Sequence, residues 1–176
     1  MTTSTRERYQ PTPLAKTETH QDGEHWRLVF VRQFSHVPNK VWLSITRPDQ
    51  LREWAPFDVD RDLGTPGPVK LTMIGGEPEV FDELVTVADQ PRRLEYTWGG
   101  DTLRWELAAI DGGTRLTLQH TVRDRSWLSK VAAGWHICFD VMAHALDGHP
   151  IGRIVADEAK RFGWERLNAD YARRMG

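Results

Sequence analysis

The sequence predicts an α+β fold in which a curved antiparallel sheet of about six strands wraps around one long helix near the C-terminus. Three observations between residues 91 and 148 support this prediction. Apolar and polar side chains alternate in three successive segments, glycine-rich turns join these segments, and the hydrophobic period then changes from 2 to 3.6 residues. An apolar sheet face and an apolar helix face must be buried against each other, and a curved sheet around a helix encloses a pocket.

The first half of the chain supplies the remaining predicted elements. Residues 1–23 are polar and aperiodic, so we expect a flexible leader followed by a single domain over residues 24–176. The segment HWRLVFVRQF alternates and predicts the first strand. Two short helices follow, one starting at Pro38 and one covering DQLREW. A loop rich in proline and glycine then leads to strands near residues 69–74 and 80–87.

A meander of three amphipathic strands over residues 93–122 is the clearest part of the pattern. Gly99-Gly100 and Gly112-Gly113 occupy its turns, where residues that tolerate positive φ are required. The polar face carries opposite charges on neighbouring strands and should form ion pairs in solvent. The apolar face consists of Leu94, Tyr96, Trp98, Leu103, Trp105, Leu107, Leu116, Leu118, His120 and Val122.

From Ser126 the spacing becomes helical, and we expect a long helix that stops near Gly148. Ile137 and Val141 lie on the back of this helix and need a cover, which is either an extra C-terminal helix through Trp164 and Leu167 or the partner subunit of a homodimer. The main apolar face contains Leu128, Val131, Trp135, Cys138, Phe139, Met142 and Leu146.

Composition limits the classes of partner. The formal net charge of −2 over 176 residues provides no broad basic field for nucleic acid or an anionic membrane. Cys138 is the only cysteine, so we expect no disulfide, a reducing cytoplasmic location and a buried thiol rather than a nucleophile. No segment has the length and apolarity of a membrane span, so we expect no membrane insertion.

Four segments resemble one protein family: HVPNKVWLSITRPDQLREW, ADQPRRLEYTWGG, GGTRLTLQH and AAGWHICFDVMAHAL. They are similar to the SRPBCC, or START-like, superfamily, and within it to the branch named for the activator of Hsp90 ATPase homologue 1. The resemblance extends over residues 24–176. It implies a helix-grip fold with a mostly apolar cavity between the sheet and the long helix.

Members of this superfamily bind lipids, hormones, polyketides or aromatic molecules, and some are cyclases, aromatases or oxygenase components. No catalytic set is common to them, so the resemblance transfers no catalytic residue to this chain. The chain shows neither the spacing of an iron facial triad nor a Rieske set of cysteines and histidines, and we therefore predict no cofactor.

We expect the pocket to be apolar and aromatic. Trp54 and Phe57 precede a loop rich in proline and glycine, and they suit a mobile lid and a buried core cap equally well. The predicted ligand-binding residues are Trp54, Phe57, Tyr96, Trp98, Leu103, Trp105, Leu118, His120, Trp135, Phe139 and Met142.

His120 is the one candidate catalytic residue, because the alternation places it on the inner face with Leu116 and Leu118. Such a histidine orients a ligand or transfers a proton near neutral pH, although a core histidine bonded to its neighbours is the more common case. Tyr96 shares this face and could donate its hydroxyl, although a tyrosine packed by its ring with the hydroxyl near the rim is the more common case.

His136, Asp140 and His144 have metal-ligand chemistry at a spacing of four residues. The outer two lie about 12 Å apart along a helix, too far to share one ion. We therefore favour a solvated helix face and predict no metal. Asp82 and Glu83 point to opposite faces of one strand, and the sequence leaves open which of them faces the cavity.

Three function classes follow from these observations. The first is a protein that binds a hydrophobic small molecule, aromatic or lipid-like, in its apolar cavity. The second is a cyclase, dehydratase or hydrolase that uses His120 as acid and base. The third is a chaperone-linked interaction module, for which the residues themselves provide no support. Binding ranks first, because an enzyme needs at least two convergent polar groups and one inward candidate is evident.

Overall fold

A single curved sheet of eight antiparallel strands forms one layer of the computed structural model, which describes residues 2–176. The strand order is β1-β2-β8-β7-β6-β5-β4-β3, and every neighbouring pair is antiparallel. The strands are β1 (Lys16–Asp22), β2 (His25–Phe34), β3 (Phe57–Val59), β4 (Gly67–Met73), β5 (Val80–Asp89), β6 (Arg93–Trp98), β7 (Asp101–Ile110) and β8 (Gly113–Val122).

The helices form the second layer. They are α1 (Pro38–Thr46), α2 (Pro48–Leu51), α3 (Leu128–Leu146) and α4 (Trp164–Met175). The long helix α3 lies against the inner face of the sheet and is preceded by a short 3-10 helix, Arg125–Trp127. Asp124 caps this start, because its carboxylate accepts the Ser126 backbone N–H at 2.8 Å. None of the helices in residues 2–176 is long and apolar enough to cross a membrane.

The predicted helix-grip fold is confirmed, and the strand count is corrected from about six to eight. The two additional strands have no readable alternation. β1, with the sequence KTETHQD, is an edge strand with mostly exposed polar side chains, and β3 has only three residues. Because β1 pairs with β2 from Lys16 to Asp22, the sheet includes residues that the prediction assigned to a flexible leader.

Burial in the meander follows the predicted alternation. Tyr96 pairs with Leu103, Leu103 with His120, and Leu94 with Trp105, so inner-face residues lie side by side across three strands. Gly99 and Gly100 have φ values of 57° and 88°, as the tight β6–β7 turn requires. The inner face is therefore a continuous apolar surface that contains one imidazole.

Aromatic side chains fill most of the space between this surface and α3. The Trp105 ring lies 6.1 Å from that of Trp54, 5.5 Å from that of Trp135 and 5.9 Å from that of Phe139, with interplanar angles of 74° to 90°. Edge-to-face packing of this kind adds to the energy of burial. The deep part of the fold between the sheet and α3 is thus a packed core.

Helix α4 packs along the back of α3. Leu167 and Tyr171 are buried there, and Ile137 and Val141 are fully buried within the same core. Ile137 and Val141 are therefore buried within the single chain, on a helix that packs against α4, and need no partner subunit to bury them.

Residues 149–163 connect α3 to α4 and cross one end of the sheet, and we call this segment the strap. Arg153 fixes it to the α2–β3 region by donating to the Arg52 carbonyl at 2.8 Å and to Asp58 Oδ1 at 2.7 Å. Arg6 holds it from the N-terminal side by donating to the carbonyl oxygens of residues 151, 152 and 153 at 2.7 to 3.2 Å. Residues 151–153 of the strap are therefore held from two sides.

Candidate functional site

A cavity of about 300 Å³ lies between the strap and the N-terminal half of α3. From α3, Lys130, Val131, Gly134, Trp135 and Cys138 line it at positions that share one face of a helix. Trp98 and His120 contribute the sheet wall. The strap and the start of α4 form the opposite wall with Ile154, Val155, Ala156, Asp157, Ala159, Lys160 and Trp164, and Pro56 completes the lining.

Gly134 makes room for this cavity. It lies within α3, where a glycine costs about 1 kcal/mol of stability relative to alanine. A Cβ atom built at Gly134 would have no heavy atom within 4 Å, so open space lies beside the helix backbone here. Leucine or phenylalanine at this position would occupy the space that the present residue leaves empty.

The strap approaches the sheet closely at the far wall. Gly75 lies in the β4–β5 turn, and a Cβ atom there would be 2.6 Å from the Ala156 Cβ. Ala156 itself has a φ of 53°, which is a left-handed conformation that residues with a side chain seldom adopt. This close approach closes the cavity on the side of the β4–β5 turn.

A second cavity of about 550 Å³ adjoins the first and shares Trp98, His120 and Val131 with it. Its other walls are more polar and include Glu79, Asp101 and Arg123, together with Met73, Phe81, Gly99, Val122 and the exposed ring of Trp127. The two cavities are therefore neighbouring parts of one groove along α3, apolar under the strap and mixed towards the β6–β7 turn.

His120 lies at the junction of the two cavities, and both of its ring nitrogens are bonded. The Trp135 Nε1–H donates to Nδ1 at 3.0 Å, so Nδ1 presents a lone pair and the proton is on Nε2. Nε2–H in turn donates to Asp101 Oδ2 at 3.0 Å. The sequence prediction that His120 points inwards is confirmed by its 1% exposure.

This network restricts what His120 can do chemically. Protonating Nδ1 would place two N–H donors against each other and break the bond to Trp135. A general base would also need a free nitrogen within hydrogen-bonding distance of substrate. Cys138 offers no nucleophile, because burial raises the pKa of its thiol to about 12. The hydrogen bonds of His120 therefore hold the Trp135 wall of the groove in place.

Three of the predicted ligand-binding residues line the groove, namely Trp98, His120 and Trp135. The other eight belong to the packed core and line neither cavity: Trp54, Phe57, Tyr96, Leu103, Trp105, Leu118, Phe139 and Met142. Trp54 is fully buried and donates its Nε1–H to the Ser44 carbonyl at 3.0 Å. It is therefore part of a buried core cap and does not belong to a mobile lid.

Tyr96 lies in the packed core, as the ring-packed alternative expects, but its hydroxyl is buried rather than at the rim. Its ring is fully buried, and neither its hydroxyl nor the Trp105 Nε1 has a hydrogen-bond partner within residues 2–176. Burial raises the pKa of this hydroxyl well above its ordinary value. Tyr96 is therefore a core residue that does not line the groove.

His136 and Asp140 contradict the prediction of a solvated helix face. They are 0% and 2% exposed, because the N-terminal segment and α4 cover this side of α3. Tyr9 Oη donates to Asp140 Oδ2 at 2.5 Å, Thr12 Oγ1 donates to Oδ1 at 2.7 Å, and Arg32 Nη1 donates to Oδ1 at 2.6 Å. The carboxylate thus joins the N-terminal segment and β2 to α3.

The same cluster continues through His136 to α4. His136 Nδ1 lies 2.7 Å from Tyr171 Oη, which accepts the Ala15 N–H at 2.9 Å. Burial acts to raise the pKa of Asp140, but the bonds from Tyr9 and Thr12 and the Arg32 guanidinium outweigh it, so its pKa is lowered. Burial lowers the pKa of His136, with Asp140 acting in the opposite direction, and the histidine is held neutral.

We expect acidification to destabilise the protein through His136. Because its folded-state pKa lies below its ordinary value of 6.5, the unfolded chain binds the extra proton first, and stability falls as the pH drops below about 6.5. The slope for one proton is at most about 1.4 kcal/mol per pH unit. Urea unfolding at pH 7.5 and pH 5.5 should show a smaller loss for His136→Gln than for the unmodified chain, and an equal loss would contradict this assignment.

The pairing of β5 with β4 shows which way Asp82 and Glu83 point. Asp82 lies opposite Lys70 on the exposed face, and its Oδ1 accepts the Lys70 ammonium at 2.6 Å. Glu83 lies opposite the buried Val69, and its carboxylate accepts the Gly99 N–H at 2.6 Å and the Thr97 hydroxyl. Glu83 therefore holds the β6–β7 turn that positions Asp101.

Sequence reasoning missed Asp101, Gly134, Lys130 and the strap as parts of the site. Gly134 had a usable signal, because a glycine within a strongly apolar helix requires a packing or functional reason. The strap had none, since its residues show no period. Within residues 2–176, no group of three or more histidine, cysteine, aspartate or glutamate side chains is arranged to hold a metal ion.

Comparison with known proteins identifies the family. The model of the activator of Hsp90 ATPase homolog 1-like proteins matches residues 35–147, well over half of the chain. This protein belongs to that family. No curated protein matches the chain significantly. The matched range ends at the C-terminus of α3, so the strap and the start of α4, which form one wall of the smaller cavity, lie outside it.

Solved structures of the same fold are similar over most of the chain. CalU16 from Micromonospora echinospora is 20% identical with a TM-score of 0.66, over 90% of this chain and 96% of its own. A conserved protein of unknown function from Enterococcus faecalis is 15% identical with a TM-score of 0.68, over 90% of each chain. DynU16, from the dynemicin biosynthetic locus, is 21% identical with a TM-score of 0.61, over 73% of this chain and 49% of its own. At these identities the likeness establishes the fold alone.

Proposed function

We propose that this protein binds a small hydrophobic molecule with a flat ring system in the groove between α3 and the strap. The observation that carries the proposal is the apolar cavity of about 300 Å³ beside Gly134. Trp98, Trp135 and Trp164 surround it, and aromatic walls suit a ring-containing ligand.

The cost of Gly134 supports the proposal. Glycine destabilises a helix interior, and a Cβ atom at this position would meet no clash, so a larger apolar residue could begin to fill the apolar space. A chain selected for stability alone would gain from a larger residue at this position. A glycine that keeps the cavity beside α3 open is expected in a protein that binds a ligand there. The location of DynU16 in a biosynthetic locus fits a fold that serves small-molecule chemistry.

Binding is favoured over the two other classes of function. The acid–base mechanism required a free imidazole nitrogen on His120, and Trp135 and Asp101 occupy both nitrogens. A chaperone-linked role has its support in the family name alone. The buried thiol of Cys138 is compatible with a reducing cytoplasm, which we propose as the location.

Filling the cavity from the helix tests the proposal. We expect Gly134→Leu to abolish binding of naphthalene-2-carboxamide, a neutral flat probe, because the leucine side chain occupies the space beside Trp98 and Trp135. The melting temperature should stay the same or rise, since helix propensity improves by up to about 1 kcal/mol. Isothermal titration calorimetry and thermal unfolding measure the two effects on the same samples.

Two variants separate cavity filling from a general effect on α3. Gly134→Ala adds one methyl group and should retain most of the affinity, whereas Ala145→Leu places the same leucine side chain on α3 outside the cavity lining and should leave the affinity unchanged. If the unmodified protein does not bind the probe, or if folded Gly134→Leu binds it with unchanged affinity, the proposed site is wrong.

A further inference from the structure

We propose that the ligand is an amphipathic anion whose carboxylate binds the ammonium group of Lys130 while its rings lie between the tryptophans. This inference rests on the proposed function, because it assigns the polar end of the ligand to a residue at the mouth of the same groove. It derives from the charges that line the cavity of about 300 Å³.

Lys130 is the lining cation with uncompensated charge. It lies one helical turn before Gly134 on the same face of α3, and its side chain is half-buried. Nζ lies 4.8 Å from the centre of the Trp127 ring, so an aromatic face covers one side of the ammonium. It forms none of the ion pairs within 4.0 Å found in residues 2–176.

Asp124 is the acidic side chain that interacts electrostatically with Lys130, and it already has a structural hydrogen bond. Asp124 accepts the Ser126 backbone N–H at 2.8 Å, and this bond, ahead of the charge of Lys130, lowers the pKa of Asp124. Asp124 thus caps the 3-10 helix that precedes α3. A carboxylate on the ligand would give Lys130 an ion-pair partner without breaking the bond between Asp124 and Ser126.

Lys160 on the strap differs from Lys130 in both exposure and pairing. Its Nζ lies 3.4 Å from Asp157 Oδ1, and the two side chains are 56% and 99% exposed. A solvated pair of this kind contributes little to the free energy of binding. The two lysines on opposite sides of the cavity therefore provide a matched comparison of an unpaired with a paired cation.

The walls and the mouth together define the ligand class. Apolar and aromatic groups from α3, the strap and the sheet surround the interior, and Lys130, which is half-buried as a residue, lies in the first turn of α3. A charge-assisted hydrogen bond in a partly desolvated site contributes more than one in open solvent. An aromatic carboxylate satisfies both features with one molecule.

A pair of isosteric probes isolates the charge. We expect the full chain to bind naphthalene-2-carboxylate about tenfold more tightly than naphthalene-2-carboxamide by isothermal titration calorimetry. Lys130→Met retains the apolar stem and removes the charge, so it should abolish this preference and leave the carboxamide affinity within about twofold. Lys160→Met should leave the preference within about twofold of its original value.

The outcomes distinguish this inference from the proposed function. Binding of the carboxamide tests the cavity, and the ratio of the two affinities tests Lys130. Equal affinities, or a preference that survives Lys130→Met, would overturn the anion assignment while the cavity stands. An equal loss of preference in both lysine variants would indicate a diffuse field and would also overturn it. Binding of neither probe would overturn both proposals.

Discussion

Asp140→Ala should cost about 3–5 kcal/mol of folding free energy, a large part of the roughly 5–15 kcal/mol that stabilises a domain. Asp140 is 2% exposed, and its carboxylate accepts hydrogen bonds from Tyr9, Thr12 and Arg32. Removing it leaves a guanidinium that is 18% exposed without its anion, and a buried hydroxyl group without an acceptor. Urea unfolding at pH 7.5 measures the loss.

The matched control for this substitution is Asp147→Ala at the end of the same helix. Asp147 Oδ1 lies 2.7 Å from His36 Nε2, but its side chain is 63% exposed, so its removal should cost less than about 1 kcal/mol. Asp140→Asn retains an acceptor for Thr12 and should fall between the two alanine variants. An Asp140→Ala loss no greater than that of Asp147→Ala would show that the N-terminal segment is not held by this cluster.

The N-terminal half of this cluster could not be predicted from the sequence. Periodicity placed His136 and Asp140 off the apolar stripe of α3, and polar residues at such positions are usually solvated. Their cover comes partly from Tyr9 and Thr12, in a segment that has no hydrophobic period. Burial through a contact more than 100 residues away leaves no local signal.

The sheet was predicted well where alternation is strong and poorly where it is weak. β6, β7 and β8 bury their apolar faces as the period of two requires, and this placed His120 on the inner face. Its partners Asp101 and Trp135 depend on the β6–β7 turn and on where α3 docks, which the period does not specify. The sequence therefore indicated the direction of the imidazole but not its role.

The extent of the cavity was the main difference between expectation and structure. Inward-facing aromatic residues predict an apolar region between the sheet and the helix. The total volume of their side chains then determines whether that region contains a cavity or is filled. Trp54, Trp105 and Phe139 pack against one another and fill the deep part, whereas Gly134 keeps one end open. The binding groove is consequently defined by the strap as much as by the sheet.

Trp105→Ala should destabilise the protein by about 3–5 kcal/mol, the range for removing a large buried aromatic side chain. Trp105 is 0% exposed, lies between Leu94 and Leu118 in the sheet register, and packs on the rings of Trp54 and Trp135. It lines neither part of the groove. Urea unfolding should therefore show a large loss of stability for a residue with no direct contact to the ligand.

We expect Trp98→Ala to affect ligand affinity more than stability, which distinguishes a groove residue from a core residue. Trp98 is half-buried and lines both cavities, so its removal should cost less folding free energy than that of Trp105 and should weaken naphthalene-2-carboxamide binding by about tenfold or more. Unfolding and calorimetry on the two variants give the comparison, with Trp105→Phe as the conservative control for the core position. If Trp105→Ala kept its stability while losing affinity, the aromatic cluster would be a ligand cavity throughout, and the division between a packed core and an open groove would be wrong.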